Sequence, residues 1–349
     1  MNLYTQPVSL GAMSSFWKRE KLPLEPPRKD VLDKVNTFVK KHDVPCDFNL
    51  ATTLDVCLTP EFAEFNARSF KEYQEAGGDL SHVKIYEGEN ASKRTGIKDT
   101  SIDKGATLFT HCPALKISKS ASVESWWDIE TPRGIITAET VVHCTNGFAG
   151  HLITQLKPYV TPTRAQALAF VPPRALSGKS MLASTMSLRY SLHNFYSVMQ
   201  RKADGVIILG ASRKSPNLSQ ATIDGMATSD DTRFNEEIKQ DIISNFANGF
   251  PACEKGKLNH GEGAQHTWTG ILGMTTDSVP FVGSLNGLPG QYVCAGFNGH
   301  GMARIFNCAP GVIKIIQGVD WSETGLPECF NVTEERLQRL SQGGIESIW

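Results

Sequence analysis

The stretch that most constrains this chain runs from Trp268 to Ile316, where glycine recurs at positions 270, 273, 283, 287, 290, 296, 299, 301 and 311. Glycine at such density marks places where main chain must pass close to something, because no Cβ stands in the way. The run WTGILGMTTDSVPFVG (268–283) precedes a strand expected over Tyr292 to Ala295, then the turn Gly296-Phe297-Asn298-Gly299-His300-Gly301-Met302, then a helix expected over Arg304 to Gln317. A helix start carries unpaired N–H groups and partial positive charge, which suit an anion or a polarised carbonyl. From the residues alone, such a turn reads equally well as simple packing between strand and helix.

Upstream, the pattern is one of strands in runs with few helices between them. Val31, Leu32, Val35, Phe38 and Val39 recur at helical spacing and predict an amphipathic helix to Lys41. Phe48 to Leu58 is β-rich, and Thr59 and Pro60 open a second helix that reaches about Ala76. Strands are expected at Thr107 to His111, Leu115 to Ser118, Ser125 to Glu130, Gly134 to Thr137, Thr140 to Cys144, Ala165 to Val171, Asn194 to Gln200, Val206 to Gly210 and Phe281 to Gly283. A third helix is expected over Asp231 to Phe246. The order implies an α+β or α/β chain with a mixed, largely antiparallel sheet rather than a repeating βαβ array. Residues 1–30, with Pro7, Pro23, Pro26 and Pro27, read as an irregular leader.

Several function classes are excluded by bulk properties. A chain of 349 residues, 40% hydrophobic, buries a real core. Its formal net charge of -1 supplies no basic field for nucleic acid or anionic lipid, so a small-molecule partner is expected. The eight cysteines show no C-x-x-C pair or short Cys/His spacing, so no metal site is read and a reducing, cytoplasmic setting is expected. Met1 to Met13 lacks the organisation of a secretory signal, no apolar run reaches the length of a membrane span, and Ser347-Ile348-Trp349 is not a peroxisomal tripeptide.

The motifs W-x-G, D-x-x-P-x-x-G and G-F-x-G-H-G-M, in this order over about fifty residues, resemble the C-terminal signature of the D-amino-acid oxidase superfamily of FAD-dependent oxidoreductases. They are most similar to a fungal branch related to γ-glutamylputrescine oxidoreductase. A second stretch, ETPRGIITAETVVHCTNGFAGHL (130–152), resembles the family's strand-turn-strand, and Thr161 to Gln166 resembles its P-x-R-G-Q run, with Ala165 where glycine is usual. The resemblance implies an FAD-dependent oxidoreductase fold spanning 31–349, with cofactor-facing parts at about 106–150 and 265–318 and substrate-domain parts at about 31–100 and 155–260. It also implies an early G-x-G-x-x-G cradle for the pyrophosphate, and the chain contains no such segment. The FAD-binding domain is accordingly expected to be incomplete, as in a truncated chain or a site completed within a homodimer.

The implied chemistry is removal of hydride from the carbon beside an amine nitrogen of an amine or amino acid, with FAD as cofactor and dioxygen as acceptor. By the same resemblance, His300, Asn298 and Arg304 are the catalytic candidates. Asn146, Gly147, Gly296, Phe297, Gly299, Gly301 and Met302 are the cofactor-binding ones, and Trp268 and Arg164 the substrate-binding ones. Arg164 and Arg304 carry the guanidinium fork that matches a carboxylate. Asn146-Gly147 is also simply a turn dipeptide, and Trp268 also reads as core. Asp277 reads as a turn acid before Val279-Pro280 in preference to one that orients backbone at the ring, and Tyr190 with His193 as a surface hairpin in preference to a substrate-facing pair. The alternative is a non-catalytic remnant that binds a small molecule or partner without flavin, which the missing phosphate loop favours.

Overall fold

The computed structural model describes residues 2–5, 28–41, 53–57, 60–75, 84–87, 109, 111–191, 194–212 and 214–342. Its strands are β1 (Asn2–Thr5), β2 (Thr53–Cys57), β3 (Lys84–Glu87), β4 (Lys116–Lys119), β5 (Trp127–Thr131), β6 (Gly134–Ala138), β7 (Val141–His143), β8 (Val160–Val171), β9 (Thr185–Arg189), β10 (Phe195–Gln200), β11 (Ile207–Gly210), β12 (Gly263–Thr275), β13 (Phe281–Ser284) and β14 (Gln291–Ala295). The α-helices are α1 (Arg28–Lys41), α2 (Pro60–Glu75), α3 (Ala149–Leu152), α4 (Gln220–Asp224), α5 (Glu236–Gly249), α6 (Ile305–Ile316) and α7 (Glu334–Ser341). Two compact units result: residues 1–100 with 164–270, and residues 101–163 with 271–349.

The first unit is built on a sheet of order β12-β8-β11-β10-β9-β2-β1-β3. Its pairings are antiparallel for β8–β11, β11–β10, β10–β9, β2–β1 and β1–β3, and parallel for β9–β2. This is the mixed, largely antiparallel sheet that the pattern of strands implies. Its core joins Leu168, Phe170, Val198, Ile207 and Leu209 of the strands to Ile238, Ile242 and Phe246 of α5. Those three recur every fourth residue on one helix face, and full burial of each stabilises by roughly 1.5–3 kcal/mol. The helix starts at Glu236, later than the Asp231 expected, because the Asn235 side chain accepts the Ile238 N–H at 3.1 Å and caps it.

The second unit carries a three-stranded sheet, β13-β14-β7, in which β14 runs antiparallel to β13 and parallel to β7. A meander, β4-β5-β6, turns at Thr131–Gly134 as expected, and the buried Trp127 donates its Nε1–H to the Pro289 carbonyl at 2.8 Å. Below β13 the buried Asp277 carboxylate is gripped by Arg336 of α7, Nε to Oδ2 at 2.9 Å and Nη2 to Oδ1 at 3.1 Å. The same guanidinium donates to the carbonyls of Val279, Pro280 and Phe330 and lies 4.0 Å over the Phe281 ring. A charge pair taken out of water survives only with its remaining donors satisfied, and here they are. Asp277 thus holds a turn, as its place before Val279-Pro280 implies.

Several elements depart from the sequence reading. Asn2–Thr5 within the presumed irregular leader is a strand, and α1 begins inside it at Arg28; residues 6–27 lie outside the described residues. Of the strand expected over Thr107 to His111, Phe109 and His111 are not in strand, and the rest lies outside the described residues. His193 does too. The glycine-spaced run from Trp268 is the far part of β12, a strand of thirteen residues, because sheet pairing tolerates isolated glycines where neighbours approach closely. Among the described residues no helix is long and apolar enough to cross a membrane, and no group of three or more His, Cys, Asp or Glu is placed to hold a metal ion.

Substituting Asp277 by Ala leaves Arg336 buried without its counter-charge. The expected loss is about 3–5 kcal/mol of unfolding free energy, measured by chemical denaturation. A loss below about 1 kcal/mol would mean that the pair is not a keystone of this unit.

Candidate functional site

The turn after β14 is held by two asparagines. Asn146, in the left-handed region at φ 46° just past β7, presents Oδ1 to the Gly296 and Phe297 N–H groups at 3.1 and 3.0 Å. Asn298, at φ 54° and 2% exposed, receives the Thr275 N–H on Oδ1 at 2.8 Å and donates Nδ2 to Thr275 Oγ1 and the Gly296 carbonyl at 2.9 and 2.7 Å. Its own N–H donates to the Gly273 carbonyl at 2.8 Å. Asparagine tolerates the left-handed region better than most residues and bonds to nearby backbone, so both positions suit it.

The fit is close enough to demand glycine. A Cβ on Gly296, at φ 77°, would sit 2.5 Å from Thr275 Cγ2. One on Gly273 would sit 2.8 Å from both Asn146 Oδ1 and the Gly147 nitrogen, and Gly147 in turn would meet the Leu272 carbonyl at 2.8 Å. Gly273 and Gly147 therefore serve contacts of main chain with main chain, and Gly296 a contact of main chain with the Thr275 methyl. Beyond them the turn opens. Among the described residues, the N–H groups of Gly299, Gly301 and Met302 have no backbone or side-chain acceptor, and they stand where a 3-10 turn (Gly301–Ala303) leads into α6. Donors of this kind, at a helix start, match an electron-rich carbonyl edge.

The structure brings Asn146, Gly147, Gly296, Phe297 and Asn298 together, with Gly299, His300, Gly301 and Met302 continuing from them. Phe297 is buried, His300 half-buried, and Met302 exposed at 71%. The side-chain polar atoms of Asn298 are bonded to Thr275 and the Gly296 carbonyl. Arg304 lies 5.5 Å over the Phe330 ring, and its Nε and Nη1 are buried with no acceptor. Arg164 and Trp268 belong to the first unit. There Arg164 donates to the carbonyls of Asp230 and Gly225 at 3.3 Å, and Trp268, 39% exposed, stacks on His266.

Residues that sequence reasoning passed over complete the frame. Thr275 is the shared partner of Asn298, and Gly273 accepts the turn's return bond. Buried His143 of β7 donates Nε2–H to Gln291 Oε1 across the parallel pair at 2.7 Å, and burial pulls its pKa below the usual imidazole value. Thr275 carried no signal beyond its place in the glycine run; His143 and Gln291 carried none.

Fold and site together define a chain built around a glycine turn with open backbone donors at a helix start. A family model described as FAD dependent oxidoreductase matches residues 95–310, and the chain belongs to that family. "Probable oxidoreductase OrdL" of Rhizobium meliloti (strain 1021) is 26% identical over 209 residues, 58% of this chain and 41% of that protein. The chain therefore spans well under two thirds of that relative's length. Two solved structures are similar in fold. L-proline dehydrogenase from P.horikoshii has a TM-score of 0.62 at 16% identity, over 91% of this chain and 83% of that one. Glycine oxidase from Geobacillus kaustophilus has a TM-score of 0.63 at 14% identity, over 93% and 86%. FAD is the family's cofactor, and the N–H groups of Gly299, Gly301 and Met302, without an acceptor among the described residues, are donors of the kind that a flavin carbonyl would take.

Two outcomes are expected. Gly296→Ala forces a methyl onto Thr275 and should cost roughly 1–3 kcal/mol, whereas Gly270→Ala, where a Cβ meets nothing within 4 Å, should cost little; equal losses in denaturant melts would refute the close-approach argument. His143, neutral in the fold, is protonated more readily in the unfolded chain. Stability is therefore full above the unfolded pKa near 6.5 and is lost as pH falls from there through the lowered folded value. Melting temperatures of wild type should drop more between about pH 7.5 and about pH 5.5 than those of His143→Gln.

Proposed function

We propose that this chain is an FAD-dependent oxidoreductase that oxidises the C–N bond of an amine or amino acid to an imine, with dioxygen taking the electrons as hydrogen peroxide. FAD, when bound, supplies the hydride acceptor. In this reading 106–150 and 265–318 face the cofactor, and 31–100 and 155–260 contribute to the substrate side. The backbone donors of Gly299, Gly301 and Met302 hold the flavin edge, while Asn146 and Asn298 fix the turn that presents them. No strong protein base is needed if the amine is delivered neutral, because positioning the C–H bond against the ring does most of the work. The scattered cysteines support a cytoplasmic setting.

The observation that carries the substrate class is Arg304. Its buried Nε and Nη1 have no acceptor, and a guanidinium held this way wants an anionic or carbonyl partner. A carboxylate is an acceptor of opposite charge for such donors, which favours amino acids over simple amines. The purified chain, mixed with FAD, should show bands near roughly 370 and 450 nm that bleach anaerobically with an amino acid and return with peroxide on admitting air. A folded sample that takes up no flavin would leave a binding module in place of an enzyme. Arg304→Gln should raise KM about tenfold to a hundredfold for substrates bearing a carboxylate, corresponding to the loss of one charged hydrogen bond. Amines without a carboxylate should be unaffected; an equal effect on both classes would remove Arg304 from substrate recognition.

A further inference from the structure

The three-stranded meander of the second unit, of order β4-β5-β6, has two edges of unlike character. Strand β4 carries Lys116 and Lys119 at its ends, and lysine on an edge guards it against pairing with another strand. At the other edge β6 reads Gly134-Ile135-Ile136-Thr137-Ala138, with neither charge nor proline. Ile135 is 65% exposed and Ile136 46%. Among the described residues no strand pairs with the outer side of β6.

The register fixes which backbone groups of β6 face outward. The Glu130 carbonyl accepts the Leu115 N–H at 2.8 Å, so the backbone polar groups of Glu130 face away from β6. Ile135 lies opposite Glu130, and Thr137 opposite Asp128. Bonded positions alternate along an antiparallel pair, so Ile135 and Thr137 turn their N–H and C=O away from β5. Ile136 lies opposite Ile129, and Ile129 opposite Ile117. Residues directly opposite share a face, so these three isoleucines form one apolar row across the meander.

We propose that β6 pairs antiparallel with β6 of a second copy of this chain, about a two-fold axis at Ile136. In that register Ile135 faces the copy's Thr137 and Thr137 the copy's Ile135, each pair exchanging both of its N–H···O bonds. The two Ile136 side chains meet at the axis, and the isoleucine row runs on into the copy as one continuous sheet. Charge supports the same register independently. The exposed Arg133 and Glu139 stand three residues either side of Ile136, so the two-fold brings Arg133 of each copy beside Glu139 of the other. Like charges stay six residues apart, about 20 Å. A slip of one residue would set outward groups against inward ones, and a slip of two would keep the bonds but part the charges. Because both copies use the same patch, the pairing closes at two. Nothing in it involves the flavin turn, so the inference stands apart from the proposed amine oxidation.

The test is sedimentation equilibrium of the full chain at concentrations up to about 100 μM, where a reversible dimer is expected. Ile136→Lys sets two ammonium groups together at the axis and should raise the dimer Kd about tenfold or more. Arg133→Glu places a like charge beside Glu139 of the copy, twice over by symmetry, and should raise it about tenfold. Adding Glu139→Arg to that variant should return the Kd to within about twofold of wild type. Both charged positions are exposed, so the reversal and its rescue decide the matter even if Ile136→Lys fails to fold. A monomer at every concentration, a dimer that neither single substitution weakens, or a double variant no tighter than Arg133→Glu would overturn the proposal.

Discussion

One side-chain oxygen organises the region on which the site depends. Asn146 Oδ1 takes two consecutive backbone N–H groups, those of Gly296 and Phe297, and so fixes where the chain leaves β14. Buried N–H groups left without acceptors would each cost about 1–3 kcal/mol, and these two take a side-chain oxygen where the strand ends and the helix has not begun. An asparagine in the left-handed region, reaching across from the end of β7, fills that gap. Asn298 does the reciprocal job, tying the turn to Thr275 at the end of β12.

With those donors occupied, the following residues stand in contrast. The N–H groups of Gly296, Phe297 and Asn298 are bonded inside the protein, and those of Gly299, Gly301 and Met302 have no acceptor among the described residues. A binding turn needs both halves, because donors presented by an unfixed loop would lose their alignment to chain entropy. The Asp277–Arg336 pair supports the turn from below by fixing the connection between β12 and β13 through six hydrogen bonds from one guanidinium. Glycines 147 and 273 permit the frame to close, since a methyl at either would strike backbone.

Much of this was legible because it is local. The strand-turn-helix order of 291–316, the Thr131–Gly134 hairpin and the apolar face of α5 follow from periods and turn residues a few positions apart. The ends of elements were less so. The start of α5 depended on a single cap, and β12 was obscured by glycines whose reason is a neighbour in space. Strand β9, TMSLR, lacks the clean alternation that signals a strand, and it is held by β10 and β2 on either side.

The sequence by itself determined the family, the mixed sheet and the glycine turn before a helix, since these reside in short motifs and local propensity. The tertiary structure decided what each residue of the turn does. Asn146 lies about 150 residues from the Gly296 and Phe297 N–H groups that it binds, and Asp277 lies 59 from Arg336. Hydrogen bonds and buried charges are settled by distance in space, and no pattern along a chain records which distant partner will arrive. Only the folded main chain separated the N–H groups already spent from those still free to bind.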